Sequence, residues 1–166
     1  MDVFIIVSLL PLFFLLHELE EIIMMRSWID ENRTALHERF SNLKNIIMWM
    51  EQMTTRRLVV IAAEEFIIVS LSTLMYLYFG NFVAWYCCLA AFGVHLVAHF
   101  VQFVVWKGYI PAIITTVLCL PYCFWAMFKI SSFFSMYEMF VYAFIGIVFS
   151  GLNLIVMHMI AKKYRK

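Results

Sequence analysis

Charge is what this sequence has least of. Of its 166 residues only 14% are Asp, Glu, Lys or Arg, while 65% are apolar. Soluble domains carry about a quarter charged and about half apolar residues, so a soluble globular class is excluded. The net charge of +1 leaves no polybasic signal, and no nucleic-acid partner is expected. Glycine is scarce, five in all, and none is arranged as a phosphate loop or dinucleotide fingerprint. No serine sits in a nucleophile elbow. The amino-terminal apolar run has Asp2 and no Lys or Arg before it. It ends in His17, Glu18, Glu20 and Glu21 where a signal peptide would have a small-residue cleavage site. It reads as a retained helix rather than a secretory signal, and neither end carries a myristoylation or prenylation motif.

What the sequence does have is long uncharged runs. Five are long enough to cross a ~30 Å hydrocarbon core, at residues 2–25, 58–79, 82–106, 109–128 and 136–161. Such runs must be helical, because every backbone polar group has to be paired within the segment. The expected fold is therefore a single all-α integral membrane domain over 1–166, a bundle of five transmembrane helices. Gly80-Asn81 and Lys107-Gly108 are the tight breaks, and Pro111 is expected in the first turn of the fourth helix. Pro11 and Pro121 fall inside helices one and four and are kink candidates.

The one long connection is 26–57. Within it Leu36, Phe40, Leu43, Ile47 and Met50 follow helical spacing on one face, with Arg33, Arg39, Lys44 and Glu51 on the others. That pattern predicts an amphipathic helix lying at the interface. With the amino end outside the cell membrane and the carboxyl end in the cytosol, eleven Lys and Arg, Arg165 and Lys166 among them, face the cytosol. Lys129 alone faces out, as the positive-inside rule requires. The five tryptophans, Trp28, Trp49, Trp85, Trp106 and Trp125, are expected in interfacial belts. The four cysteines read as small packing residues.

Ionisable groups inside apolar spans are costly and point to function. His17, Glu20 and Glu21 lie at i, i+3 and i+4 and share one face of the first helix, with Glu18 turned about 100° away. Glu64 and Glu65 fall in the second span, and His95 and His99, one turn apart, in the third. Antiparallel packing brings all three helices' polar groups to one depth in the cytosolic half, with His158 and Asn153 on helix five near it. The outer halves offer few polar groups, mainly Ser70, Ser72, Thr73, Asn81, Thr115 and Thr116.

Imidazole and carboxylate together suit zinc, iron or manganese, and a bundle core can hold one or two such divalent ions. The expected ligands are His17, Glu21, Glu65, His95 and His99. Glu20 or Glu64 is the candidate base, and Tyr109 the candidate to orient substrate or give a proton. Each part has a plainer reading. Glu20 and Glu21 could mark a helix end at the headgroups, Glu64 and Glu65 could pair with Arg56 or Arg57, and the histidines could be interhelical packing.

His17-x-x-Glu20-Glu21, early in a small polytopic chain, resembles the signature of the HXXEE-domain family. A further histidine (here His95 or His99) and a Tyr-x-Pro-Gly motif also mark that family. The latter would be Tyr109-Ile110-Pro111-Ala112, with Ala in place of Gly. The resemblance covers roughly 17–112 and implies a membrane-embedded shared site without implying a reaction.

The first expectation is a metal-dependent intramembrane enzyme acting on a lipid or lipid-like substrate at the cytosolic leaflet, with hydrolysis ahead of oxidation. A second is a metal-ion or proton carrier using the same residues, for which five helices would require a homodimer or a water path. A third is an assembly protein in which the cluster is polar glue between helices.

Overall fold

The computed structural model describes residues 3–164; Asp2, where the first span was expected to begin, and Arg165 and Lys166 lie outside the described residues. Six α-helices follow in order: α1 Val3–Arg39, α2 Lys44–Glu51, α3 Thr55–Phe79, α4 Val83–Trp106, α5 Ile113–Ile130 and α6 Met136–Ala161. No strand occurs among the described residues. All but α2 are long and apolar enough to cross a membrane, five spans as expected.

Each break follows from local chemistry. The Thr54 side chain accepts from the Arg57 amide and starts α3. Gly80, at φ 68, closes it in the left-handed conformation that glycine adopts without penalty. Ser135 and Glu138 form a reciprocal capping box at the start of α6. The fourth span begins later than expected, at Ile113 rather than 109. Ala112 sits at φ 65, so residues 110–112 form a turn, and Pro111 precedes the helix instead of occupying its first turn.

The largest departure is α1. It was expected to stop near residue 25, yet it runs 37 residues to Arg39, about 55 Å of helix. Nothing between 26 and 39 is Gly or Pro, and a fall in hydropathy marks where lipid ends, not where a helix ends. The apolar stripe of 36–50 is therefore divided. Leu36 lies in the last turn of α1 and Ile47 sits on α2, across a 3-10 turn at Ser41–Leu43. Leu36 and Ile47 are buried, with Phe40 and Met50, against Trp28, Ile110, Ile113 and Trp106. Arg33 and His37 of α1 hold Glu51 of α2 at 2.8 and 2.9 Å. Arg39 donates to the Val105 and Trp106 carbonyls at the end of α4, where a cation suits the helix C-terminus.

Within the spans, α4 packs against α3, α5 and α6, while α1 packs against α3 and α5. The main core holds Ile6, Leu10, Phe14, Trp85, Leu89, Leu96, Cys119 and Cys123. The cysteines are free, as packing residues are. Trp85 corrects the belt expectation: it is fully buried, and its indole N–H donates to the Val7 carbonyl at 3.1 Å. Pro11, four residues on, stays inside α1 but has no N–H to give that carbonyl.

Candidate functional site

Four side chains from two helices meet in the core. His17 and Glu21 stand one turn apart on α1, His95 and His99 one turn apart on α4. Each offers one ligand atom, and these atoms all lie within 4.8 Å of one another. His99 Nε2 lies 3.2 Å from His95 Nε2 and 3.4 Å from Glu21 Oε2; His95 Nε2 is 3.8 Å from the same oxygen. Ligands about 2.0–2.1 Å from a tetrahedral ion are about 3.3 Å apart, close to the two shorter separations. The His17 ring stands beside both, with centroids 5.1 and 5.0 Å from those of His95 and His99.

The orientation of His17 is set from α5. Thr115 Oγ1 donates to Glu20 Oε2 at 2.6 Å and lies 3.2 Å from His17 Nδ1. With its one hydrogen given to the carboxylate, the hydroxyl is an acceptor toward Nδ1–H. That tautomer leaves the Nε2 lone pair free, and Nε2 is buried with no hydrogen-bond partner. A histidine anchored through one nitrogen with the other free is what a metal ligand requires.

Glu20, the candidate base, is hydrogen-bonded to α5 and to Tyr109. Its carboxylate takes the Ile114 and Thr115 amides at 3.3 and 2.7 Å, the Thr115 hydroxyl, and the Tyr109 hydroxyl at 3.1 Å. A carboxylate at the open N–H groups of α5 satisfies the donors every helix leaves there. Tyr109 belongs to this clamp and not to the four-residue cluster. Burial and the neighbouring Glu20 raise its phenol above the ordinary value, which keeps it a donor. The motif His17-x-x-Glu20-Glu21 thus divides its labour: the outer two residues face α4 and the middle one holds α5.

The remaining residues sit one step away. Glu64 Oε2 accepts from Asn153 Nδ2 at 2.9 Å, tying α3 to α6. Glu65 is outside the four-residue cluster and lines a neighbouring cavity together with Glu18, His95 and Asn153. Glu18 is the residue the sequence reading turned away. It is one residue from His17, but that rotation aims it at the cavity, and only the packing of α1 against α3 reveals what lies there. Thr115 corrects a second expectation: numbered among the outer-half polar groups, it is at the level of the cluster. The signal was available, since Thr115 lies only two residues beyond the start of α5. His158 packs on Trp49, ring centroids 4.9 Å apart, away from the cluster.

The cavity, about 520 Å³, lies among α3, α4 and α6. His95 is common to its wall and to the cluster, so an occupant would lie against the candidate ligands.

The family model for proteins of unknown function with an HXXEE motif matches residues 8–126, well over half of the chain. No curated protein and no solved structure gives a match.

Proposed function

This chain belongs to the HXXEE family, whose function is unknown, and for it we propose a metal-dependent intramembrane enzyme that hydrolyses a lipid-like substrate. The reading rests on one observation: His95 serves both the four-residue cluster and the wall of an apolar cavity. His17, Glu21, His95 and His99 would hold one divalent ion, with zinc first among zinc, iron and manganese for a three-imidazole, one-carboxylate set. Such an ion would supply a Lewis acid and an acidified water at neutral pH.

The chain's own residues provide the rest. Thr115 and Glu20 orient His17, and the cavity receives the substrate's hydrocarbon. Glu20 is committed to α5 and Glu64 to Asn153, which leaves Glu18 and Glu65 to meet the substrate. The excess of Lys and Arg at one end supports an amino end outside, a carboxyl end in the cytosol and a place in the cell membrane. On that orientation α2 lies at the cytosolic surface, and its exposed Ile46, Met48 and Trp49 face the lipid.

Purified protein should carry about one metal ion per chain by mass spectrometry, and His99→Ala and Glu21→Gln should each lose it while remaining folded. Metal-loaded protein in liposomes of total membrane lipid should then release hydrolysis products that chelated protein does not. Failure to bind stoichiometric metal under any loading condition would refute the reading. Ion uptake into vesicles without any lipid product would favour a carrier.

A further inference from the structure

The cavity carries more information than its contact with His95. Its walls come from Leu71, Val94, Phe149 and similar side chains, with Ser72 and Ser150 among them, and its carboxyl groups, Glu18 and Glu65, line it together with Asn153 and His95. On α3 it extends from Glu65 to Met75, about 15 Å at 1.5 Å per residue, or half of a ~30 Å hydrocarbon core. That is a slot for one chain running the depth of a leaflet, and its volume falls in the ordinary range for ligand sites.

The Glu65 end is acidic and uncompensated. Glu18 is only 8% exposed, yet among the described residues neither it nor Glu65 has a hydrogen bond or an ion pair. Among the described residues lining the cavity Glu18 and Glu65 are the two acidic groups, and none is Lys or Arg. Asn153 gives its N–H to Glu64, so its side-chain oxygen is left as an acceptor. The end of the slot therefore presents two carboxyl groups and an amide oxygen, with no Lys or Arg among the described lining residues. A primary ammonium is the complement, with three N–H donors, no acceptor and one positive charge.

We propose that this cavity binds a single-chain amphiphile with a cationic amine head, the ammonium between Glu18 and Glu65 and the hydrocarbon toward Met75. This names the substrate class of the enzyme proposed above and depends on that reading for turnover, but not for binding. The head group lies beside His95, so a bond one or two atoms from the nitrogen would be presented to the cluster.

Three probes of equal chain length test the inference on the full chain in lipid nanodiscs: hexadecylamine, hexadecanol and hexadecanoic acid, with retention measured by native mass spectrometry. The amine should bind at least tenfold more tightly than the alcohol or the acid. Glu18→Gln with Glu65→Gln should remove that preference, and each single variant should lose part of it, so a poorly folding double variant does not end the test. Equal retention of alcohol and amine, or a preference that survives both substitutions, would overturn it. Metal content is read from the same samples. Amine preference with no metal would refute the enzyme and leave the binding site standing. Metal without amine preference would do the reverse.

Discussion

The indole of Trp85 donates to the Val7 carbonyl at 3.1 Å, and Val7 is the residue whose helical donor Pro11 removes. In lipid no water can take over that carbonyl, so α4 supplies the missing N–H to α1. Trp85→Phe keeps most of the ring and deletes the donor. It should cost about 1–3 kcal/mol for the unpaired buried group, beyond what the smaller ring loses in packing. In a Pro11→Ala background the helix regains its own N–H, and the same substitution should cost about 1 kcal/mol less. Unfolding in mixed micelles measures both. Strict additivity of the two substitutions would show that the Trp85 bond is not a substitute for the one Pro11 lacks.

A second contact between spans depends on having no side chain at all. A Cβ built on Gly146 would stand 2.2 Å from the Cys87 carbonyl oxygen and 2.8 Å from its Cα. Both are backbone, so a flexible side chain cannot simply move aside, and α4 and α6 would have to separate. Gly146→Ala should destabilise the fold by about 1–3 kcal/mol. Gly151, on the same helix, has nothing within 4 Å of such a Cβ. Gly151→Ala should be neutral or gain up to about 1 kcal/mol of helix propensity. The pair measured under identical unfolding conditions separates close approach from a general glycine effect.

The five spans were legible because lipid imposes length and composition on a helix directly, and the pairs His17/Glu21 and His95/His99 because i, i+4 spacing fixes a common face. The end of α1 was not legible, since no breaker stops residues 26–39 and the turn at Ser41 is set by α2 folding back. The neighbours of Glu20 and of Glu18 were not legible, for one shared reason. Which neighbour a helix face meets depends on the rotation of packed helices, and no spacing rule reports that. Trp85 read as a belt residue because its sequence position, near the start of α4, is interfacial; the carbonyl left open by Pro11 draws its indole inward. Ala112 adopts φ 65, a left-handed position of the kind glycine favours.

Outside the spans, α1 and α2 are clasped by charge. His37 first, then Arg33, holds the Glu51 carboxyl below its ordinary value. A depressed carboxylate stabilises the folded clasp above its unfolded pKa and loses that contribution as pH falls through the folded value. The clasp should therefore stay closed at neutral pH and open below about pH 4.5, the ordinary value for the group. Amide exchange in residues 44–51 should rise over that interval in the native protein. With Glu51→Gln the same segment should exchange faster at pH 7 and show no such step. The global unfolding transition should hardly move, since the Arg33 guanidinium lies largely in solvent and the clasp is outside the spans.

The most informative single substitution is Thr115→Val, which keeps the shape and removes one hydroxyl. Glu20 would keep the Thr115 and Ile114 amides and Tyr109, so α5 should stay in place. His17 would lose the acceptor that fixes its tautomer, and its Nε2 would no longer be held ready for an ion. If the cluster binds metal as proposed, affinity should fall about 10–100-fold, the usual effect of removing a hydrogen bond behind a ligand, while unfolding stability changes little. Thr115→Ser, which restores the hydroxyl, should return affinity to within a few-fold of the native protein. Tyr109→Phe removes one of the bonds to Glu20 without touching His17 and should leave affinity unchanged, so competition against a chelator in all three variants separates ligand orientation from support of α5. A Thr115→Val protein that binds metal as tightly as the native chain would break the link between Glu20 and His17 and reduce the middle residue of the motif to a helix cap.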